Sequence, residues 1–327
     1  MKSILIFSNG EKIGDGIIKL PLLNEIKKRL VDFKIFWMTN ENATVYNSIL
    51  KKISSNYIDE IYEKAHLNLF FWKNISSKYN LENKYFDYIF DTQKSVFRTL
   101  ALKRIKHTNF ISGSANGIFS SIKVKKKITN RRKYYLENLY DLLDLIVKDK
   151  VDENFKIPIS NELEKRISKF FNNRKKYVGI APGAGEKNKI WPINKFIEVA
   201  NYCEKNNYEI IFFLGPSENN LKNLLKKKFS NSIFIEDHKL FAKFSNIEII
   251  MASTKFLKLA VANDSGVSHM LSTNYCPLIK LFGPKDSMKF TPLKNNLMTI
   301  SAREFNSSVI DDIPVSSVIS KIKEFLN

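Results

Sequence analysis

Short apolar runs alternate with helix-patterned segments along this chain, stop near its middle, and then begin again. Residues 3–7 form a buried-strand pattern, and residues 17–30 carry helical spacing at Ile17, Ile18, Leu22, Leu23, Ile26 and Leu30. Residues 34–38, 57–61, 85–91 and 109–112 read as further strands. Residues 123–150 are strongly basic at first and then helical, through Leu139, Leu142, Leu143 and Ile146. Residues 151–161 contain Pro158 and little periodicity, which makes them the expected linker. The alternation resumes at 177–181 and runs through 210–214, 232–235, 256–262 and 278–282. Strands alternating with helices imply parallel sheets built from right-handed crossovers. Two such series predict an α/β chain of two doubly wound, Rossmann-like domains, residues 1–155 and 156–327. Ligands are then expected at the carboxyl ends of the strands, in a central cleft that the domains face.

A length of 327 residues suits two cores better than one. Hydrophobic content of 44% with 13% aromatics excludes a disordered chain. No uncharged apolar stretch reaches the length of about 18 residues that a membrane span needs. The apolar start is cut off by Asn9, Gly10, Glu11 and Lys12, so it reads as a first strand and not as an export signal. Cys203 and Cys276 have neither metal-ligand spacing nor the numbers for a disulfide framework, which fits a reducing, cytoplasmic setting. The net charge of +20 has two explanations. One is compositional, since Lys, Asn and Ile are abundant together. The other is attraction to an anionic partner, either nucleic acid or an acidic membrane surface.

The motifs fall at the ends of the expected strands. After the first strand, Gly14 and Gly16 flank Asp15, so a tight turn can present the carboxylate. Asp15 is the candidate general base for an acceptor hydroxyl; its alternative role is to cap a helix beginning at Gly16. Farther on, Pro182, Gly183, Ala184 and Gly185 form a turn whose backbone N–H groups can cradle phosphate. Lys189 follows, placed to neutralise a departing diphosphate, and Trp191-Pro192 leads into a helix. Glu218 stands at a helix start, able to accept from a ribose diol or merely to suit the helix dipole. Asn263-Asp264-Ser265-Gly266 closes an apolar strand and opens a helix, whose N-terminus suits a phosphate. His269 lies one turn on from Ser265. His66, His107 and His238 have no partner pattern and read as surface or packing residues. No Asp-x-Asp and no His/carboxylate cluster of ligand spacing occurs, so no metal is expected.

This ordered set resembles glycosyltransferase family 9, the heptosyltransferases of the lipopolysaccharide inner core. The likeness spans nearly the whole chain. It rests on Gly14-Asp15 before an apolar helix with Pro21, on Phe86-Asp87 through Asp91-Thr92-Gln93, and on Pro182 to Gly185 with Lys189, Trp191 and Pro192. It continues through Leu214-Gly215-Pro216 with Glu218, then Asn263 to Gly266 with His269, and Phe282-Gly283-Pro284. The resemblance implies a GT-B type fold, with an acceptor-binding N-terminal domain and a C-terminal domain for a nucleotide-sugar donor, an ADP-sugar. It implies an inverting transfer without metal or other cofactor. Asp15 matches the catalytic base and Lys189 the phosphate-neutralising lysine. Gly183, Ala184, Gly185, Glu218, Asp264, Ser265, Gly266 and His269 match the donor site. Gln93 and Arg98 fall in an acceptor-holding segment, where Lys94 replaces the family's usual glycine. Lys125, Lys126, Arg131 and Arg132 lie where related enzymes carry a basic acceptor loop, suited to an anionic lipid-linked glycan at the inner face of the plasma membrane. The expected protein is cytoplasmic and peripheral to that membrane. Two other functions remain open on these residues: a basic nucleic-acid-binding module, and a sugar-binding pseudoenzyme of the same fold. The first lacks the interleaved aromatics of single-strand binders, so no nucleic-acid partner is expected.

Overall fold

A computed structural model describes residues 1–70, 73–75, 78–123, 134–149, 151–152, 155–215, 218–274, 276–291 and 296–326. The chain divides into two units, Met1–Phe155 and Lys156–Asn327.

The first unit runs β1 (Lys2–Ser8), α1 (Ile13–Arg29), β2 (Phe33–Thr39), the short α2 (Lys51–Ser54), β3 (Glu60–Tyr62), β4 (Tyr85–Asp91), α3 (Val96–Leu102), β5 (Lys106–Ser112) and α4 (Tyr135–Leu143). Its five strands are parallel in the order β3-β2-β1-β4-β5. The order reverses between β1 and β4, where a doubly wound sheet opens a crevice for ligands. Strand β1 is buried from Ile4 to Ser8, as the centre of such a sheet must be. Asp87 holds its start in register, accepting the Ser3 N–H at 2.7 Å.

The second unit runs α5 (Asn161–Phe170), β6 (Lys176–Ala181), α6 (Ile193–Lys205), β7 (Tyr208–Phe212), α7 (Asn219–Lys228), α8 (Asn246–Ser253), β8 (Leu257–Asn263), α9 (Gly266–Leu271), β9 (Leu278–Phe282), α10 (Ser287–Phe290), β10 (Leu297–Ser301) and α11 (Val315–Leu326). Its parallel order is β10-β9-β8-β6-β7, which reverses between β8 and β6. Val178, Ile180, Val261, Ile279 and Leu281 form one core with Trp191, Phe196 and Val318.

Several elements depart from the sequence expectation; among them, β3 begins at Glu60 and not at residue 57. Helix α1 begins at Ile13, not at Gly16, so Asp15 lies in its first turn and does not cap it; Lys12 holds the cap position. Residues 232–235 form no strand. Ile233 makes a single bridge to Ile211, and the chain then tightens into a 3-10 turn at Ile235–Asp237. Strand β10 was not expected, because its half-exposed Leu297, Met298 and Thr299 lack a buried-strand signature. Among the described residues no helix is long and apolar enough to cross a membrane.

Candidate active site

Each unit places its motif residues beside its own point of strand-order reversal. In the second unit, the turn after β6 and the turn after β8 are tied together by Asn263. Its Nδ2 donates to the Pro182 carbonyl at 2.7 Å, and its Oδ1 accepts the Trp191 N–H at 3.2 Å. Trp191 is fully buried and donates Nε1–H to Ile313 O. Gly283 completes the support. A Cβ there would lie 2.9 Å from the Asn188 carbonyl, so only glycine lets the Lys187–Lys189 turn pack against the end of β9.

This scaffold brings Lys189 onto Asp264. The lysine Nζ donates to Asp264 Oδ2 at 2.9 Å. The other carboxylate oxygen, Oδ1, lies 3.9 Å from His269 Nε2 and 3.7 Å from Lys280 Nζ. Burial, and then the positive charges of Lys280 and Lys189, push the imidazole of His269 well below its usual range. His269 is therefore neutral at pH 7, a hydrogen-bonding ring and not a cation.

Lys280 is the residue that sequence reasoning missed. It stands mid-strand in an apolar pentapeptide, and that break in the pattern was the available signal. The lysine is 1% exposed, and burial lowers its ammonium to about 8, with Asp264 acting in the opposite direction.

Helix α9 is shorter than its motif suggests, six residues in all. Ser265 caps it, but the cap is reciprocal with Ser268, whose N–H donates to Ser265 Oγ at 3.4 Å. One of the first-turn N–H groups is thus already satisfied from within. Of the two glycines in the turn after β6, the fold uses one. A Cβ on Gly183 would collide with the Glu218 carboxylate, whereas a Cβ on Gly185 would meet open space. Glu218 holds the cap position of α7 without a side-chain capping bond, and its carboxylate accepts the Gly215 N–H at 2.7 Å. Burial raises its carboxyl above the usual range, opposed by that hydrogen bond. Ala184 is half-exposed between the two glycines.

Gly183→Ala should consequently act through Glu218. The end of a flexible side chain can move, so the variant is expected to fold while the carboxylate is displaced. If Glu218 contacts a nucleotide, as the resemblance implies, nucleotide affinity should fall by about tenfold to a hundredfold, the worth of a hydrogen bond to a charged group. Isothermal titration of Gly183→Ala, Glu218→Ala and the double variant checks this: the double should bind no more weakly than Glu218→Ala alone.

In the first unit, Asp15 is exposed in the first turn of α1, where the helix dipole favours a negative charge. No hydrogen bond holds its carboxylate among the described residues. One turn later Lys19 is buried against Glu11, with Nζ 3.2 Å from Oε1 and 2.9 Å from Ser8 Oγ. Glu11 also accepts from Thr44 Oγ1 at 2.6 Å. Burial works against the Lys19 ammonium, but Tyr135, Glu11 and Asp15 together hold its pKa above the ordinary value.

A cavity of about 260 Å³ opens at the end of β4, lined by Asp91, Thr92, Gln93 and Lys94, by Gly113, Ala115 and Asn116, and by Tyr135, Asn138, Leu139 and Leu142 of the α4 segment. Burial pushes Asp91 up to about 6, against hydrogen bonds from Thr99, the Gln93 N–H and Ser112. Gln93 lines this cavity, as does Lys94. Arg98 lies in α3 and is not among the lining residues. Lys125, Lys126, Arg131 and Arg132 lie outside the described residues.

The remaining histidines pack or face solvent. His66 is exposed, His107 Nδ1 meets the Ile105 carbonyl at 2.6 Å, and His238 sits edge-on to Phe170. Both cysteines are buried and free. Among the described residues no group of three or more His, Cys, Asp or Glu side chains gathers to hold a metal.

Residues 75–311 match the family described as glycosyltransferase family 9 (heptosyltransferase). The lipopolysaccharide core heptosyltransferase OpsX of Haemophilus influenzae is 24% identical over 243 residues, covering 72% of this chain and 68% of that protein. Lipopolysaccharide heptosyltransferase 1 of Campylobacter coli is 23% identical over 305 residues, 88% and 86% of the two chains. The structure of Escherichia coli heptosyltransferase WaaC with ADP-2-deoxy-2-fluoro heptose aligns with a TM-score of 0.67 at 16% identity, over 98% of this chain and 99% of that one. The two parallel five-stranded sheets and this likeness make the fold α/β of the GT-B type. The family match covers well over half of the sequence, and the chain belongs to glycosyltransferase family 9.

Proposed function

We propose that this glycosyltransferase moves a heptose from an ADP-linked donor onto an anionic, lipid-linked acceptor of the lipopolysaccharide inner core. The reaction inverts the anomeric centre and uses no divalent metal. The observation that carries this reading is the cluster of buried Asp264 and His269 with the partly exposed Lys189, set where the second sheet reverses its order.

In the proposed reaction an acceptor hydroxyl attacks the anomeric carbon, the bond from that carbon to the diphosphate oxygen breaks, and Asp15 takes the hydroxyl proton. Lys189 meets the charge that grows on the leaving diphosphate. Asp264 and neutral His269 orient the sugar and diphosphate. Ser265 and Gly266 stand at the same strand end, and Glu218 accepts from the nucleoside. Support comes from the relatives, which are lipopolysaccharide heptosyltransferases, and from WaaC having been solved with an ADP-sugar analogue.

On the acceptor side the reading uses the cavity at Asp91, Gln93 and Tyr135. A peripheral position at the inner face of the membrane is supported by Phe97 and Leu100, which share a face of α3 and are 74% and 44% exposed. Exposed apolar side chains beside basic ones suit an anionic bilayer surface.

The experiment is thermal unfolding with ADP, UDP, GDP and a short polynucleotide, each in EDTA, followed by transfer assays with ADP-heptose. Ligand at about 100 times its dissociation constant stabilises by about 2.7 kcal/mol. ADP should raise the midpoint in EDTA and the other ligands should not. Stabilisation by the polynucleotide alone, vanishing with salt, would reject the reading.

A further inference from the structure

Lys280 lies at the centre of β9, opposite Ala262 of β8, and two lysines share one buried carboxylate because of it. An ammonium so buried must be paired. Asp264 Oδ1, at 3.7 Å, is its counter-ion, and the Phe282 ring lies 5.2 Å from Nζ. The groups facing it are Asp264 from the end of β8, neutral His269 from α9 and Lys189 from the turn after β6. Beyond Lys189 stands Glu186, 4.0 Å away.

The two lysines are not equivalent. Lys189 sits in a surface turn, with its side chain 18% exposed, whereas Lys280 is fixed in a central strand at 2%. Lys189 can turn toward an arriving anion and Lys280 cannot. If Lys189 left Asp264 with no other partner, a buried carboxylate would be stranded.

We propose that Lys280 is a positioning residue: it takes over as counter-ion of Asp264 and so frees Lys189 to bind the diphosphate of the donor. This rests on the nucleotide-diphosphate reading of the site. The depressed pKa of Lys280 agrees with it, since Lys189 contributes to the depression and its departure would reverse that part. A bound diphosphate then requires Lys280 to be charged. Affinity should be level up to pH about 8 and decline above it, toward the limit of about tenfold per pH unit for uptake of one proton. The terminal phosphate, with a second pKa near about 6, is already ionised across that range.

The test is titration of the full chain with ADP in EDTA, using wild type, Lys280→Met, Asp264→Asn and the double variant. Met keeps the volume and the apolar strand, and thermal unfolding should show a protein at least as stable as wild type. Lys280→Met is expected to weaken ADP binding by about tenfold and to flatten the decline above pH 8. In the Asp264→Asn background the same change should have no further effect, because no carboxylate remains to be released. Equal ADP affinity in wild type and Lys280→Met overturns the proposal. So does an equal loss in both backgrounds, which would make Lys280 a direct electrostatic partner of the ligand. Should Lys280→Met fail to fold, the wild-type pH profile decides: affinity that stays level well above pH 8 overturns the proposal. A wild type that does not bind ADP at all removes the underlying reading and the proposal with it, whereas normal wild-type binding with an unaffected variant removes only the proposal.

Discussion

Asp15→Asn is expected to lower kcat by about 10²- to 10⁴-fold, the usual contribution of a general base. Asn keeps the shape of the side chain and removes its ability to take a proton. Two features make this a clean substitution. The carboxylate is exposed and holds no hydrogen bond among the described residues, so stability should change by no more than about 0.5 kcal/mol. Asp15 is proposed to act on the acceptor hydroxyl and not on the nucleotide, so ADP affinity should be unchanged. The loss should therefore appear in kcat with KM for the donor preserved, the signature of a group acting in the transition state alone. Lys19 will lose one of the charges that favour its ammonium, but Glu11 stays at 3.2 Å and the buried pair survives. Transfer at the wild-type rate would remove Asp15 from the chemistry and leave the mechanism without a base in this unit.

The strands at the centres of both sheets were legible because burial on both faces imposes continuous apolar runs, as in Ile4 to Phe7 and Leu259 to Ala262. Edge elements carried less signal. Strand β10 has one neighbour and half-exposed side chains, and residues 232–235 had the right composition but gained only one bridge. The polar motifs were legible as a set, yet what several of them do inside the protein was not. Asp87 fixes strand register, Asn263 joins two turns, and Gly283 admits a carbonyl. Those duties depend on partners more than 70 residues away in sequence, which local patterns do not encode. Lys280 was hidden for a related reason. A lysine in a strand reads as an interruption until the carboxylate that accommodates it, 16 residues earlier, is seen to lie beside it.

Lys189→Met should give the second large effect, a fall of about 10²- to 10³-fold in kcat, comparable to removing one preorganised donor from a developing anion. The lysine now donates to Asp264 at 2.9 Å, so the free enzyme holds its charge in reserve against a buried carboxylate. That arrangement separates ground state from transition state. In the proposed reaction, Lys189 exchanges one anion for another on binding the donor and gains little. As the sugar–oxygen bond breaks, charge accumulates on the diphosphate, and the same contact strengthens. Catalysis needs interactions of this differential kind, so kcat should fall by a larger factor than the donor dissociation constant rises. The variant should remain folded, because Asp264 keeps Lys280 at 3.7 Å as a counter-ion. His269 should become easier to protonate, since Lys189 is one of the charges that suppress it. Lys189→Arg keeps the charge but replaces a compact ammonium with a planar fork, so it should recover only part of the rate. Single-turnover kinetics with saturating donor distinguishes the cases. A defect confined to donor affinity, with the chemical step at the wild-type rate, would make Lys189 a binding residue and leave the leaving-group charge to be met elsewhere.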